Sequence, residues 1–135
     1  MRHYPISVGP FSRGFHVITK QVFDAIDQWP QQGMMHVFIQ HTSAGLCINE
    51  NADPTVRKDF DLFFNRLAPE NLPGILQDME GPDDMPAHIK SVLTGSSVSI
   101  PIVDGQPALG TWQGIFLCEF RTHARPRDLL ITIIE

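Results

Sequence analysis

The chain has 135 residues, 42% of them hydrophobic, with nine Phe, two Trp and one Tyr. That is the size of one domain, with apolar bulk enough to bury about two-thirds of the unfolded surface around one core without a metal or disulfide staple. Ten basic residues against fifteen acidic ones give a net charge of −5, which argues against nucleic-acid binding by counterion release.

No repeat or low-complexity stretch divides the chain, so a single domain over 1–135 is expected. Met1 to Pro5 carry no apolar signal core, and no run approaches the roughly 18 apolar residues of a membrane span. The cytoplasm is therefore the expected location, with no membrane partner.

Gly14 to Ile18 read as a strand that gives way to a short helix capped by Thr19, with Val22, Phe23, Ile26 and Trp29 on one face and Pro30 and Gly33 as its stop. Met34 to His41 and Leu46 to Ile48 are two strand-like runs separated by a Thr-Ser-Ala-Gly break, and the two are expected to pair. Asp53 and Pro54 open the clearest helix, whose Val56, Phe60, Phe63, Phe64 and Leu67 repeat at helical spacing as a buried face.

The Pro- and Gly-rich stretch from Pro69 to Pro82 is expected to be an extended loop. A second helix follows, capped by Asp83 or Asp84 and ended by Gly95, with Ile89, Val92 and Leu93 as its buried face. Val98 to Val103 form a strand whose Pro101 prefers an edge or a bulge, and Asp104-Gly105 signals a hairpin turn. Ile115 to Phe120 and Leu129 to Ile134 complete the strands. Strands outnumber two or three helices and no βαβ rhythm recurs, which predicts an α+β fold with a mostly antiparallel sheet or sandwich.

Three polar clusters lie at element ends, where side chains can converge on a ligand. The first is Gln40-His41-Thr42-Ser43-Ala44, with Asn49-Glu50-Asn51 downstream. Hydroxyls beside an imidazole suit a phosphate-like anion; the same residues also suit a hydroxyl-capped turn, and Asn49 to Asn51 a plain polar turn. In the second cluster, Glu80 to Lys90, His88 falls one helical turn after Asp84, so an imidazole and a carboxylate face one side. Solvated acids with a surface histidine are the alternative.

The third cluster is Gly110-Thr111-Trp112-Gln113-Gly114, whose indole either stacks on a heterocycle or fills the core. Beyond it, Glu119 and Arg121 share a strand face and either pair or meet a substrate together. Cys47 and Cys118 lack the spacing of a metal knuckle or redox pair and read as core thiols. No two of the six histidines have local zinc spacing, so a metal site would have to be assembled by folding from His41, His88 and His123.

His41 to Ala44, Asn49 to Asn51, Asp53-Pro54, Asp83 to Lys90 and Leu109 to Ile115 together resemble the YjbQ-like family, also called secondary thiamine-phosphate synthases. The resemblance runs from Ser12 to the last strand. It implies a compact α+β trimer with polar sites near the subunit interfaces. It also implies a weak transferase activity that joins a pyrimidine pyrophosphate to a thiazole phosphate and expels pyrophosphate.

On residue chemistry, Glu50, Asp83, Asp84, His88 and Glu119 are the candidate catalytic groups. His41, Thr42, Ser43, Asn49, Lys90, Thr111, Trp112, Gln113 and Arg121 are the candidate substrate contacts. Family members often have histidine where this chain has Gln77 and Phe120, which weakens both the metal and the catalytic reading. A weakly held divalent ion, zinc or magnesium, is the most that is expected as a cofactor. The alternative to an enzyme is a non-catalytic trimer that binds a small phosphorylated metabolite or a metal.

Overall fold

A computed structural model describes residues 1–135. Its elements in chain order are β1 (Arg2–Val8), β2 (Gly14–Val17), α1 (Thr19–Asp24), β3 (Gln32–Ile39), β4 (Ala44–Glu50), α2 (Pro54–Leu67), α3 (Asp84–Thr94), β5 (Ser97–Val103), β6 (Gln106–Pro107), β7 (Gln113–Glu119) and β8 (Arg127–Ile134). A five-stranded sheet, ordered β1-β8-β3-β5-β6, faces a three-stranded sheet, β2-β7-β4. Every ladder is antiparallel.

Alternation along the strands builds the core between the sheets. Met35, Val37 and Ile39 of β3, Ile100 and Ile102 of β5 and Leu129, Ile131 and Ile133 of β8 meet Leu46 of β4 and Ile115 and Leu117 of β7. The other face of the small sheet carries Phe15, Phe116, Cys118 and Phe120, covered by Ala87 of α3 and by Phe60 and Phe64 of α2. The small sheet is thus the middle layer of three, buried on both faces, and β7 reads accordingly as a continuous apolar run. The α+β class stands, with three helices.

Several local expectations are corrected. β3 and β4 do not pair: β3 lies between β5 and β8, and β4 pairs with β7 in the other sheet. The Thr-Ser-Ala-Gly break is a passage between layers, not a hairpin. Thr19 does not cap α1; its hydroxyl accepts the Ile115 N–H at 2.9 Å, tying the helix to β7. α1 ends at Asp24, well before Pro30, although Ile26 and Trp29 still reach the core. The N-terminal strand β1, which alternates toward the core and pairs with β8, was not anticipated.

Asp53 does cap α2, accepting the Thr55 N–H at 2.9 Å with Pro54 in the first position. Asp104 and Gly105 both take positive φ, 52° and 77°, as a tight type I′ hairpin turn requires.

The helix faces differ most from expectation. Phe63 and Leu67 of α2 are 66% and 67% exposed, and on α3 the apolar Ile89, Val92 and Leu93 point outward while Asp84 and Lys90 are buried. Polar contacts select the inward face of α3. Ser91 Oγ donates to the Ala44 carbonyl at 2.8 Å, and the Leu46 N–H donates to the Gly95 carbonyl at 3.0 Å. At Gly45 the helix end comes so close that a Cβ would lie 1.9 Å from Thr94 Oγ1.

Candidate functional site

The β4–β7 ladder divides the sequence candidates into two groups. Glu119 lies opposite Ala44 at one end, and Gln113 lies opposite Glu50 at the other, about 20 Å away at the usual strand rise. His41, Thr42, Ser43, Glu119 and Arg121 gather at the first end, where α3 brings Asp83, Asp84 and His88. Asn49, Glu50, Thr111, Trp112 and Gln113 stand at the far end, so within one chain they do not share a site with the first group. Trp112 is 63% exposed and is not core. Gln113 is spent on the Gly110 N–H at 2.8 Å. One carboxylate oxygen of Glu50 is buried without a partner.

Asp84 is the hub of the near end. Its Oδ1 meets Arg121 Nη1, while its Oδ2 accepts from Gln77 Nε2 at 2.6 Å and lies 3.2 Å from His88 Nε2. His88 Nδ1–H donates to the Thr42 carbonyl at 2.8 Å, so the Nε2 contact with Asp84 needs a shared proton. Both ring nitrogens are thereby committed. Arg121 completes its fork with Asp83 Oδ2 at 2.9 Å and the Glu80 carbonyl at 2.9 Å. Asp83 also accepts the Thr122 N–H, and these bonds hold its carboxyl below the usual carboxylate range although burial opposes them.

Glu119 does not pair with the Arg121 side chain. Its carboxylate, fully buried, receives Arg127 Nε at 2.7 Å and Nη2 at 2.5 Å, and the Arg121 backbone N–H at 3.1 Å. Arg127 Nη2 also reaches Ser43 Oγ at 3.1 Å, leaving that hydroxyl's own proton free to donate.

A cleft of about 400 Å³ opens beside these pairs, walled by His41, Ser43, Arg121, His123, Arg125 and Arg127 among others. His41 Nε2 accepts the Asp128 N–H at 2.8 Å, which places the ring proton on Nδ1. Burial and the nearby Arg127 charge hold the His41 pKa below its ordinary value, so at neutral pH the ring is a neutral donor. His41 also walls a neighbouring cleft of about 370 Å³ with Thr42, His88 and Ser91.

Arg125 and Arg127 were missed in the sequence, although three arginines and a histidine within Arg121 to Arg127 are a readable basic run in an acidic chain. Lys90 is corrected: its side chain is sealed in, 2% exposed, donating to Asn65 Oδ1 at 2.6 Å with Nζ 5.8 Å from the Phe120 ring centre. Phe120 fills an aromatic cluster with Phe15 and Phe64, and Gln77 keeps a donor on Asp84. His41, His88 and His123 do not converge as a metal ligand set within the chain, where no group of three or more His, Cys, Asp or Glu side chains is placed to hold a metal ion. Within one chain, His41 Nε2 is occupied by the Asp128 N–H and His88 Nε2 faces Asp84, so these three histidines do not form a divalent-ion site.

Lys90 gives a pH test. Burial first, then repulsion from Arg13, lowers its pKa below the ordinary 10.5, so the unfolded chain binds the proton more tightly than the folded one. The Lys90 contribution to stability is therefore expected to rise with pH as Lys90 deprotonates, through a window just below that value, while the buried Cys118 thiol, its pKa raised, contributes with the opposite sign. Lys90→Met should remove this rise, and Asn65 Oδ1 would keep its 3.1 Å bond from Arg13. Urea midpoints at neutral and alkaline pH for both proteins check it.

A three-layer α+β sandwich with an arginine- and histidine-walled cleft at one end of its middle sheet is the class these features define. Residues 5–135 match the family described as UPF0047 protein YjbQ-like, and the chain belongs to it. The UPF0047 protein YjbQ of Escherichia coli O157:H7 is 45% identical over 90% of this chain and 89% of its own. A UPF0047 protein of Methanocaldococcus jannaschii is 44% identical over 87% and 82%. Among solved structures, a conserved hypothetical protein from Thermus thermophilus superposes with a TM-score of 0.85 at 34% identity, covering 96% of this chain and 98% of its own.

Proposed function

We propose that the cleft between His41 and Arg125 binds the phosphate end of a small phosphorylated heterocycle, and that the protein is a transferase of the secondary thiamine-phosphate synthase type. The observation that carries this reading is the concentration of Arg121, Arg125, Arg127, His41 and His123 around one cleft, with Glu80 its one acidic lining residue, in a chain of net charge −5. Arg121 and Arg127 are neutralised by buried carboxylates, whereas Arg125 enters no ion pair and is left for the ligand. Ser43 O–H and His41 Nδ1–H add neutral donors.

In the transferase reading, the thiazole nitrogen attacks the methylene carbon of the pyrimidine as the carbon–oxygen bond to pyrophosphate breaks. The cleft stabilises the departing anion. Asp84, Arg121 and His88 position the wall rather than touch the reacting atoms.

One observation favours the non-catalytic reading: both nitrogens of His88 are already engaged, which leaves the imidazole of α3 without a nitrogen free to move a proton for a substrate. A homotrimer is proposed in either case, because the outward apolar residues of α2 and α3 would gain cover from a second copy.

Incubating the protein with both precursors, with His41→Ala and Arg125→Glu variants alongside, and titrating each with pyrophosphate by calorimetry decides between them. The transferase reading expects thiamine phosphate from wild type and little from either variant, with pyrophosphate affinity down roughly tenfold or more for Arg125→Glu. Equal product from all three sinks the transferase reading. Pyrophosphate binding without product supports capture, and affinity unchanged in Arg125→Glu sinks the cleft itself.

A further inference from the structure

Cys47 and Cys118, 71 residues apart in sequence, meet across the β4–β7 ladder with their sulfurs 3.6 Å apart. Cys47 stands opposite Phe116 and Cys118 opposite Gly45, so the two thiols are diagonal neighbours on the helix-covered face. Cys118 is fully buried, while Cys47 forms part of the wall of a cleft of about 210 Å³ between α2 and α3, with Phe15, Phe60, Phe64 and Leu93. No third metal-binding side chain joins them, so the pair has the composition of a dithiol.

We propose that Cys47 and Cys118 are a modification site, a dithiol that hydrogen peroxide entering this cleft converts to an intramolecular disulfide. Position assigns the roles, since only Cys47 faces the cleft. The acidities agree: the hydrogen bond between the thiols lowers the Cys47 pKa, while that bond and burial raise Cys118.

The Cys47 thiolate attacks one peroxide oxygen, the O–O bond breaks, and the departing oxygen leaves as water after taking up a proton. Cys47 is now a sulfenic acid. The Cys118 sulfur attacks the Cys47 sulfur, and the expelled hydroxyl leaves as a second water with the Cys118 proton. Two thiols lose two electrons and one hydrogen peroxide gains them. The sulfurs must draw together by roughly 1.5 Å to reach disulfide length.

The test is intact mass spectrometry on the reduced full chain after hydrogen peroxide, followed by unfolding and iodoacetamide. The wild type is expected to lose the mass of two hydrogens, take no alkyl group and recover both thiols with dithiothreitol. In Cys118→Ser, Cys47 should be trapped as a sulfenic acid by dimedone; in Cys47→Ser, Cys118 should react at least about tenfold more slowly. Two alkylated thiols in peroxide-treated wild type, at a dose that oxidises Cys47 in Cys118→Ser, would overturn the proposal. So would a link formed only between chains, or Cys118 reacting first. Should Cys118→Ser fail to fold, Cys118→Ala sets the dose in its place.

Discussion

Glu119→Ala is expected to lower folding stability by about 3–5 kcal/mol, the cost of stranding a buried guanidinium without its counter-ion. The Arg127 and Glu119 side chains are 9% and 0% exposed, so water cannot replace the lost partner. The alanine also removes the acceptor for the Arg121 N–H and leaves a void between β7 and β8. Urea unfolding followed by circular dichroism measures the loss. A change below about 1 kcal/mol would mean that the pair is solvated and that the end of the small sheet is looser than described.

Arg121→Ala should cost about 2–3 kcal/mol, less than Glu119→Ala because the guanidinium is about a quarter exposed and water screens part of its field. What it strands is Asp84, 3% exposed, which keeps Gln77 and His88 as partners. The two replacements should not add. The Arg121 backbone already rests on Glu119, so a double-mutant cycle is expected to show coupling of about 1 kcal/mol. Strict additivity would mean that the two ion pairs are independent units.

The sequence was most readable where local chemistry acts alone. Asp53-Pro54 announced the start of α2, Asp104-Gly105 announced a hairpin turn, and a majority of strands with no βαβ rhythm announced a mostly antiparallel sheet. It was least readable where the choice depends on a distant partner. The apolar stripes of α2 and α3 have ideal spacing, yet α3 turns inward the side chains that answer Arg121, Asn65 and the Ala44 carbonyl, and none of these lies near it in sequence.

The site shows the same limit. The pairing of Asp84 with His88 followed from one helical turn. The partner of Glu119 proved to be Arg127, on β8 of the facing sheet, instead of Arg121, nearer in sequence. That Glu50 and Trp112 stand a full strand length away from His41 follows from the β4–β7 register, which composition and spacing do not reveal.

Every residue from Asn71 to Glu80 is exposed, and none belongs to a ladder or a helix. This connection between α2 and α3 is fastened at its two ends, by Arg13 gripping Glu70 and by Arg121 holding the Glu80 carbonyl. Between them only Gln77 ties back, to Asp84, so Asn71 to Leu76 are the open stretch. It is the place where the polypeptide can be opened and rejoined elsewhere without disturbing an interior. A circular permutant with new ends there would keep both helices anchored to the middle layer.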